Sequence, residues 1–424
     1  MYRLSFFSLS LIAVTSLPIG AHGQAPQIDI NFYIQIAQAT SENSFKRIPH
    51  DDKSPSELSL MGADALRHGD FDTAEKLFRK AIQLAEAKVG ASRLEYAEML
   101  ANLANVLRGR GRYVQAEALL QKAMPIAKSE HGETHPNFAV YLSLLGLVQM
   151  AMGHFEEAEF YLSKAMRNSS DAFGHRNLTT IKRTINLAAL LAKTDRHSEA
   201  EALLATAFTN SVALLGEQHP DTAIAINNYG SVLQQQGKHK EAEPFLRRAL
   251  QITGSALGET HPTYANRLNN LANTLGALSR WPEAEALFRK SLEITKARLG
   301  EDHPKFAKFL NNLAIHLRRM DRSVEAERFF RKALETYGIT VGKIHPDYAD
   351  TLNNLAVLLN DLKRFDEARP LYEEAVRIDL ERLGLNHQYT RIHAGNYARL
   401  LRLHFPDDQA LIRLETVFGD EIGK

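Results

Sequence analysis

Seventeen histidines and no cysteine limit the chemistry open to this chain of 424 residues. Without thiols there is no disulfide framework, thiolate metal site, iron–sulfur cluster or cysteine nucleophile. Five histidines precede proline, at His135, His219, His261, His303 and His345, and they fall on a 42-residue register. Histidine can bind metal or carry a proton. A metal's ligands, however, lie within about 2 Å of it, whereas successive packed helices stand about 10 Å apart. The spacing therefore predicts junction residues. No phosphate-binding glycine loop, His-Glu-x-x-His or dinucleotide fingerprint stands in a suitable context. Neither catalysis nor a metal or cofactor is expected.

Asparagine is the other polar residue that recurs in step. One column is Asn227, Asn269, Asn311 and Asn353; the next position repeats as Asn102, Asn186, Asn228, Asn270, Asn312, Asn354 and Asn396. An amide both donates and accepts, so a ladder of four could pair with the main chain of an extended peptide. A solvated polar face is the alternative. Which holds depends on the elements that carry the columns.

Those elements repeat every 42 residues. Gly90, Gly132, Gly174, Gly216, Gly258, Gly300, Gly342 and Gly384 keep step, and the His-Pro pairs follow three residues after most of them. Glycine closes a helix in the left-handed conformation, and proline opens the next at no cost because its first amide would be unpaired anyway. Two further columns are small in all nine units: Ala74 to Ala410, and Gly62, Ala104, Gly146 onward to Ala398. Small residues let two helices approach, and a larger side chain would overpack by about 1–3 kcal/mol. Each unit is thus a helical hairpin, and a hairpin that cannot bury both faces must stack on its neighbours. The last one, after Pro406, has the mixed polar character of a cap.

These columns resemble the tetratricopeptide consensus. LGEDHP at 299–304, LNNLA at 310–314 and EAE at 325–327 resemble the kinesin light chain subfamily. The resemblance implies an all-α, right-handed superhelical solenoid of about nine helix-turn-helix repeats over 55–406, with a degenerate capping helix at 407–424. It also implies a non-catalytic scaffold holding a peptide in its concave groove, as kinesin light chains hold cargo peptides. Carried over from the family, Asn270 and its column would bond backbone at the helix junction.

At 100° per residue, the face of the first helix opposite its apolar stripe would line that groove. It carries the asparagines 227, 269, 311 and 353 with Gln234, Asn266, Asn273, Lys308, Arg318 and Arg319. The three cations predict an acidic ligand segment there. The equivalent positions in the two units before the asparagine ladder, such as Val140, Leu147 and Ile185, are mostly apolar and suggest a contact.

Residues 1–23 have a signal peptide's pattern: Arg3, an uncharged apolar run, Pro18, and small residues before a cut after Gly23. A secreted or periplasmic protein is expected. Residues 24–54 read as a linker in which Ile28 to Ile36 alternate with polar residues; the strip is either plain linker or a plug for the groove. With 51 basic and 50 acidic residues the net charge is +1, which gives no whole-chain case for nucleic acid or membrane. The alternative role is assembly into an envelope complex through the convex face or the ends.

Overall fold

A computed structural model of the chain describes residues 53–87, 92–419 and 422. The expected signal peptide, the Ile28–Ile36 strip and most of the expected linker lie outside these residues. The described residues form eighteen helices and no strand. They pair as nine hairpins: α1 (Pro55–Arg67) with α2 (Phe71–Ala87), α3 (Arg93–Gly109) with α4 (Tyr113–His131), and α5 (Phe138–Met152) with α6 (Phe155–Phe173). Next come α7 (Leu178–Lys193) with α8 (His197–Leu215), α9 (Pro220–Gln235) with α10 (His239–Leu257), and α11 (Pro262–Ala277) with α12 (Trp281–Leu299). The last three are α13 (Pro304–Arg319) with α14 (Ser323–Thr340), α15 (Pro346–Asp361) with α16 (Phe365–Arg382), and α17 (Gln388–His404) with α18 (Gln409–Phe418).

The small-residue columns set the distance within each hairpin. Ala74, Ala116 and their successors through Ala368 are fully buried. At the facing column a Cβ added to Gly146 would stand 2.7 Å from Leu162 Cγ, and one on Gly230 would stand 3.0 Å from Leu246 Cγ. Backbones that close leave no room for a methyl group. Neighbouring hairpins then share one core, in which Leu271, Leu313, Leu355 and Phe330 are at most 1% exposed.

Electrostatics reinforces the stacking on the outside. Arg280 just before α12, Arg322 before α14 and Arg364 before α16 each reach back to a glutamate of the preceding outer helix: Glu243 at 2.6 Å, Glu285 at 2.8 Å and Glu327 at 2.6 Å. Each also pairs with a glutamate three residues on, Glu283, Glu325 or Glu367. Half-exposed pairs of this kind contribute little singly, but each bridges two consecutive repeats. EAE segments supply these acids except Glu367, which lies in Asp366-Glu367-Ala368-Arg369; their purpose was not evident from the sequence.

The superhelix winds tightly enough that its second turn rests on its first. The first four inner helices meet the last four end to end: α1 under α11, α3 under α13, α5 under α15 and α7 under α17. The repeat built from α9 and α10 joins the two turns. The terminal helix α18 buries Ala410, Leu411 and Leu414 and leaves Ile412 and Val417 exposed.

Candidate functional site

Two features could carry function: the seam between turns, and the luminal face of the inner helices. The seam is made by the His-Pro series. Each histidine accepts a hydrogen bond at Nδ1 from the amide two residues on, capping its helix: Lys305 N to His303 at 3.0 Å, Asp347 N to His345 at 3.1 Å, Tyr389 N to His387 at 3.2 Å. That leaves Nε2–H to donate. It does so to the carbonyl ending an inner helix one superhelical turn earlier: His303 to Gly109 at 2.8 Å, His345 to Ala151 at 3.0 Å, His387 to Lys193 at 3.2 Å. The last carbonyls of a helix have no partner within it, so each ring satisfies an orphan while capping its own helix. The negative end of one helix dipole thereby meets the positive end of the next.

Close approach at the seam depends on left-handed residues. Gly69, Gly111 and Gly153 have φ of 72°, 76° and 80°, and a Cβ on Gly111 would lie 2.5 Å from Pro304 Cδ. At the fourth seam Gln388 replaces proline and brings a free amide. Here Asp195, at φ 61°, replaces glycine and accepts that amide through Oδ2 at 2.8 Å. The first seam is looser: Pro262 packs on Gly69, and His261 faces the backbone of Arg67 at the end of α1 without full hydrogen-bond geometry. Burial pushes His303 down to about 4, and it lowers His345 and His261 as well. The histidines are junction residues, with a second junction that sequence spacing did not reveal.

The asparagine columns bond to each other. Asn270, Asn312, Asn354 and Asn396 donate to the Oδ1 of Asn227, Asn269, Asn311 and Asn353 in the preceding repeat, at 3.2, 3.2, 3.2 and 3.0 Å. The partner of the second column is therefore a side chain, where backbone was expected. The first column is buried, 1–5% exposed, and its carbonyl oxygens are engaged within the protein. A pattern of two adjacent recurring asparagines, each one repeat from the other, was the signal that could have suggested this.

The remaining groove residues divide by exposure. Lys308 and Arg319 are exposed, while Gln234, Asn266, Asn273 and Arg318 are half-buried. Arg318 pairs with Asp361 at 2.7 Å across to the next repeat. Lys308 opens to solvent yet is ringed by protein, and this enclosure with nearby Lys193 lowers its ammonium. Of the apolar positions, Val140 and Leu147 are half-buried and Ile185 is buried. The carbonyl of Ala151 on the same face is covered by the second turn through His345.

One further polar cluster lies in the last two repeats. His393 on α17 bonds Asp379 of α16 at 2.5 Å and faces Asp350 of α15 at 3.8 Å. The two carboxylates raise it to about 9 although it is buried; burial, with Asp350 beside it, pushes Asp379 upward, and the imidazolium opposes that. In other repeats Asp379's place is held by Ser211, Thr253 or Thr295, whose hydroxyls bond their own helix. The cluster is a buried ion pair.

With this geometry the chain is a superhelical stack of helical hairpins, the architecture of a protein-interaction scaffold. It belongs to the tetratricopeptide repeat family, whose model matches residues 56–129, 95–171, 180–255, 225–297, 263–338 and 347–418. A second tetratricopeptide repeat model matches 312–379. None of the curated proteins matches. Among solved structures, a Rap protein complexed with Competence and Sporulation Factor is similar at 11% identity, covering 86% of this chain and 99% of its own, with a TM-score of 0.55. BtubC (BKLC) from P. vanneervenii is 21% identical, covering 59% of this chain and 94% of its own, with a TM-score of 0.41. A putative kinesin light chain of Podosopora anserina with nearly identical repeats is 20% identical, covering 49% and 97%, with a TM-score of 0.39. No helix among the described residues is long and apolar enough to cross a membrane.

Proposed function

We propose that this chain is a non-catalytic scaffold that holds an extended segment of a partner protein along the luminal face of its inner helices. The observation that carries the reading is the contrast between its two faces. On the outside, charged side chains are spent on ion pairs between repeats. On the inside, Lys308 and Arg319 stand open with Asn266, Asn273 and Gln234 beside them, a set of donors and acceptors able to meet a main chain. The buried asparagines 227, 269, 311 and 353 then shape the wall behind the ligand. Lys308 and Arg319 favour acidic residues in the segment. The similar Rap structure contains a bound factor, which agrees with a ligand held by such a superhelix.

The test is to immobilise the chain from Gln24, pass cell-envelope extract over it, and compare it with a variant carrying Asn266→Ala, Asn273→Ala, Lys308→Ala and Arg319→Ala. Loss of a retained protein by the folded variant supports luminal binding; identical retention refutes it. A second reading, assembly through the convex face, is favoured by Val114, Phe160 and Val324, which are 73%, 60% and 88% exposed on outer helices. Identical retention, lost instead on changing these three to serine, would establish it. We also propose export out of the cytoplasm on the strength of residues 1–23; a mature N-terminus at Gln24 in an envelope fraction is the expected finding.

A further inference from the structure

Positive charge gathers on the luminal wall at the second seam; Asp347 and Asp350 act on Lys308 from a distance, but no carboxylate among the described residues pairs with the cluster. Lys305 is the second residue of α13, at the positive end of the helix dipole, where acids are favoured and a lysine is not. Its counterparts include Glu95, Asp221 and Asp347; the one other basic residue of the column, Lys53, precedes α1. Across the seam α3 ends with Arg108, whose Nε is buried without a partner and whose Nη2 reaches only Asn105, at 2.8 Å. From the adjoining α11 comes Arg267, 7% exposed, its Nε also buried and unpartnered. Lys308 follows Lys305 on the same helix. Among the described residues none of these four forms an ion pair with a carboxylate. Burial and the neighbouring cations Arg108, Lys308 and Arg267 push Lys305 down to about 8.

The next seam shows what a balanced version looks like. There the position of Lys305 is held by Asp347, and Lys193, from the end of α7 at the seam after it, approaches to 3.9 Å. Burying a cation without a partner costs several kcal/mol, and like charges brought together add to it.

We propose that Arg108, Arg267, Lys305 and Lys308 form an oxyanion-binding site where the first and second turns meet, taking a carboxylate or phosphate group whose binding ties the turns together. Guanidinium N–H groups match the oxygens of either group, and the start of α13 adds its dipole. The site draws on two turns at once, so it exists only while the seam is closed. It goes beyond the peptide-holding reading because it requires no peptide.

The test titrates the purified full chain by calorimetry with inorganic phosphate and, separately, with hexaglutamate. Lys305→Thr, which installs the residue type found at Thr263, is compared with Lys240→Thr on the exposed outer surface. Saturable binding weakened about tenfold or more by Lys305→Thr and unchanged by Lys240→Thr is the expected result. Thermal midpoints give an independent reading: without ligand, Lys305→Thr should melt higher than wild type, and phosphate should raise only the wild type. Tighter binding of hexaglutamate identifies the carboxylates of a protein partner as the source; tighter binding of phosphate identifies a free oxyanion. Absence of saturable binding by either probe, or equal binding by Lys305→Thr, overturns the site and leaves the luminal peptide reading to its own test.

Discussion

His219 and His303 open their helices with the same dipeptide, in the same register, and do different things. Both cap: Asp221 N donates to His219 Nδ1 at 3.1 Å, as Lys305 N does to His303. His219 belongs to the repeat that joins the two turns. Its side chain is 40% exposed and its ring makes no bond to another turn. His303 is 2% exposed because a whole superhelical turn lies against it. The glycines differ likewise. Gly237, in the joining repeat, has nothing within 4 Å of an added Cβ, whereas Gly111 in the same register meets Pro304. A repeated motif thus acquires its role from what lies 194 residues away along the chain, not from its own sequence.

Acid should expose that difference most strongly. His303 in the folded state titrates near 4 against 6.5 unfolded, so between these values the unfolded chain binds the extra proton. Stability contributed by the neutral ring is full above 6.5 and is lost as pH falls to 4, about 3 kcal/mol for this one group. His345 and His261 move in the same direction. Denaturant midpoints should therefore fall steeply from pH 6.5 to 4, and His303→Asn, which keeps a capping oxygen but does not titrate, should flatten the slope. His393 has the opposite sign: raised to about 9, its contribution is complete below 6.5 and disappears as pH rises through 9. His393→Gln should therefore remove a stability loss on the alkaline side.

A smaller effect separates the two glycines. Gly111→Ala and Gly237→Ala both force alanine to positive φ, about 1 kcal/mol or more each. Only the first also drives a methyl into Pro304, adding about 1–3 kcal/mol. Equal melting shifts would mean the seam is not closed in solution. Smaller still is the histidine pair. His219→Ala loses a cap worth about 1 kcal/mol, and His303→Ala loses the cap and one further hydrogen bond, about 1 kcal/mol more. Chemical denaturation of the two variants at pH 7.5 measures that excess directly.

Repeat length, hairpin architecture and the facing small residues were legible because they are local or recur every 42 residues. That Gly146 and Ala158 must both be small follows from periodicity alone. The asparagines were legible as columns but not as a ladder: a helical wheel places Asn311 toward the groove without showing that Asn354 of the next repeat bonds it. The seam was hidden for a further reason. It depends on the angle between repeats that contacts such as Arg322 to Glu285 bridge, and small angles accumulate over several hairpins. Asp195 opposite Gln388 is an exchange no reading of a single repeat could interpret. The charge at Lys305 stands out only once Arg108 is known to be across from it.

Closure of the first turn on the second is the central claim, and the absence of native cysteine makes it directly measurable. Val114 and Ile339 are exposed, come from different turns, and line one cavity of about 320 Å³ at the second seam. Val114→Cys with Ile339→Cys, both labelled with pyrene, should give excimer emission at pH 7.5 in dilute monomeric protein, absent from either single variant. Acidification toward pH 4 should diminish it. Monomer emission alone from the folded double variant at pH 7.5 would contradict a closed superhelix.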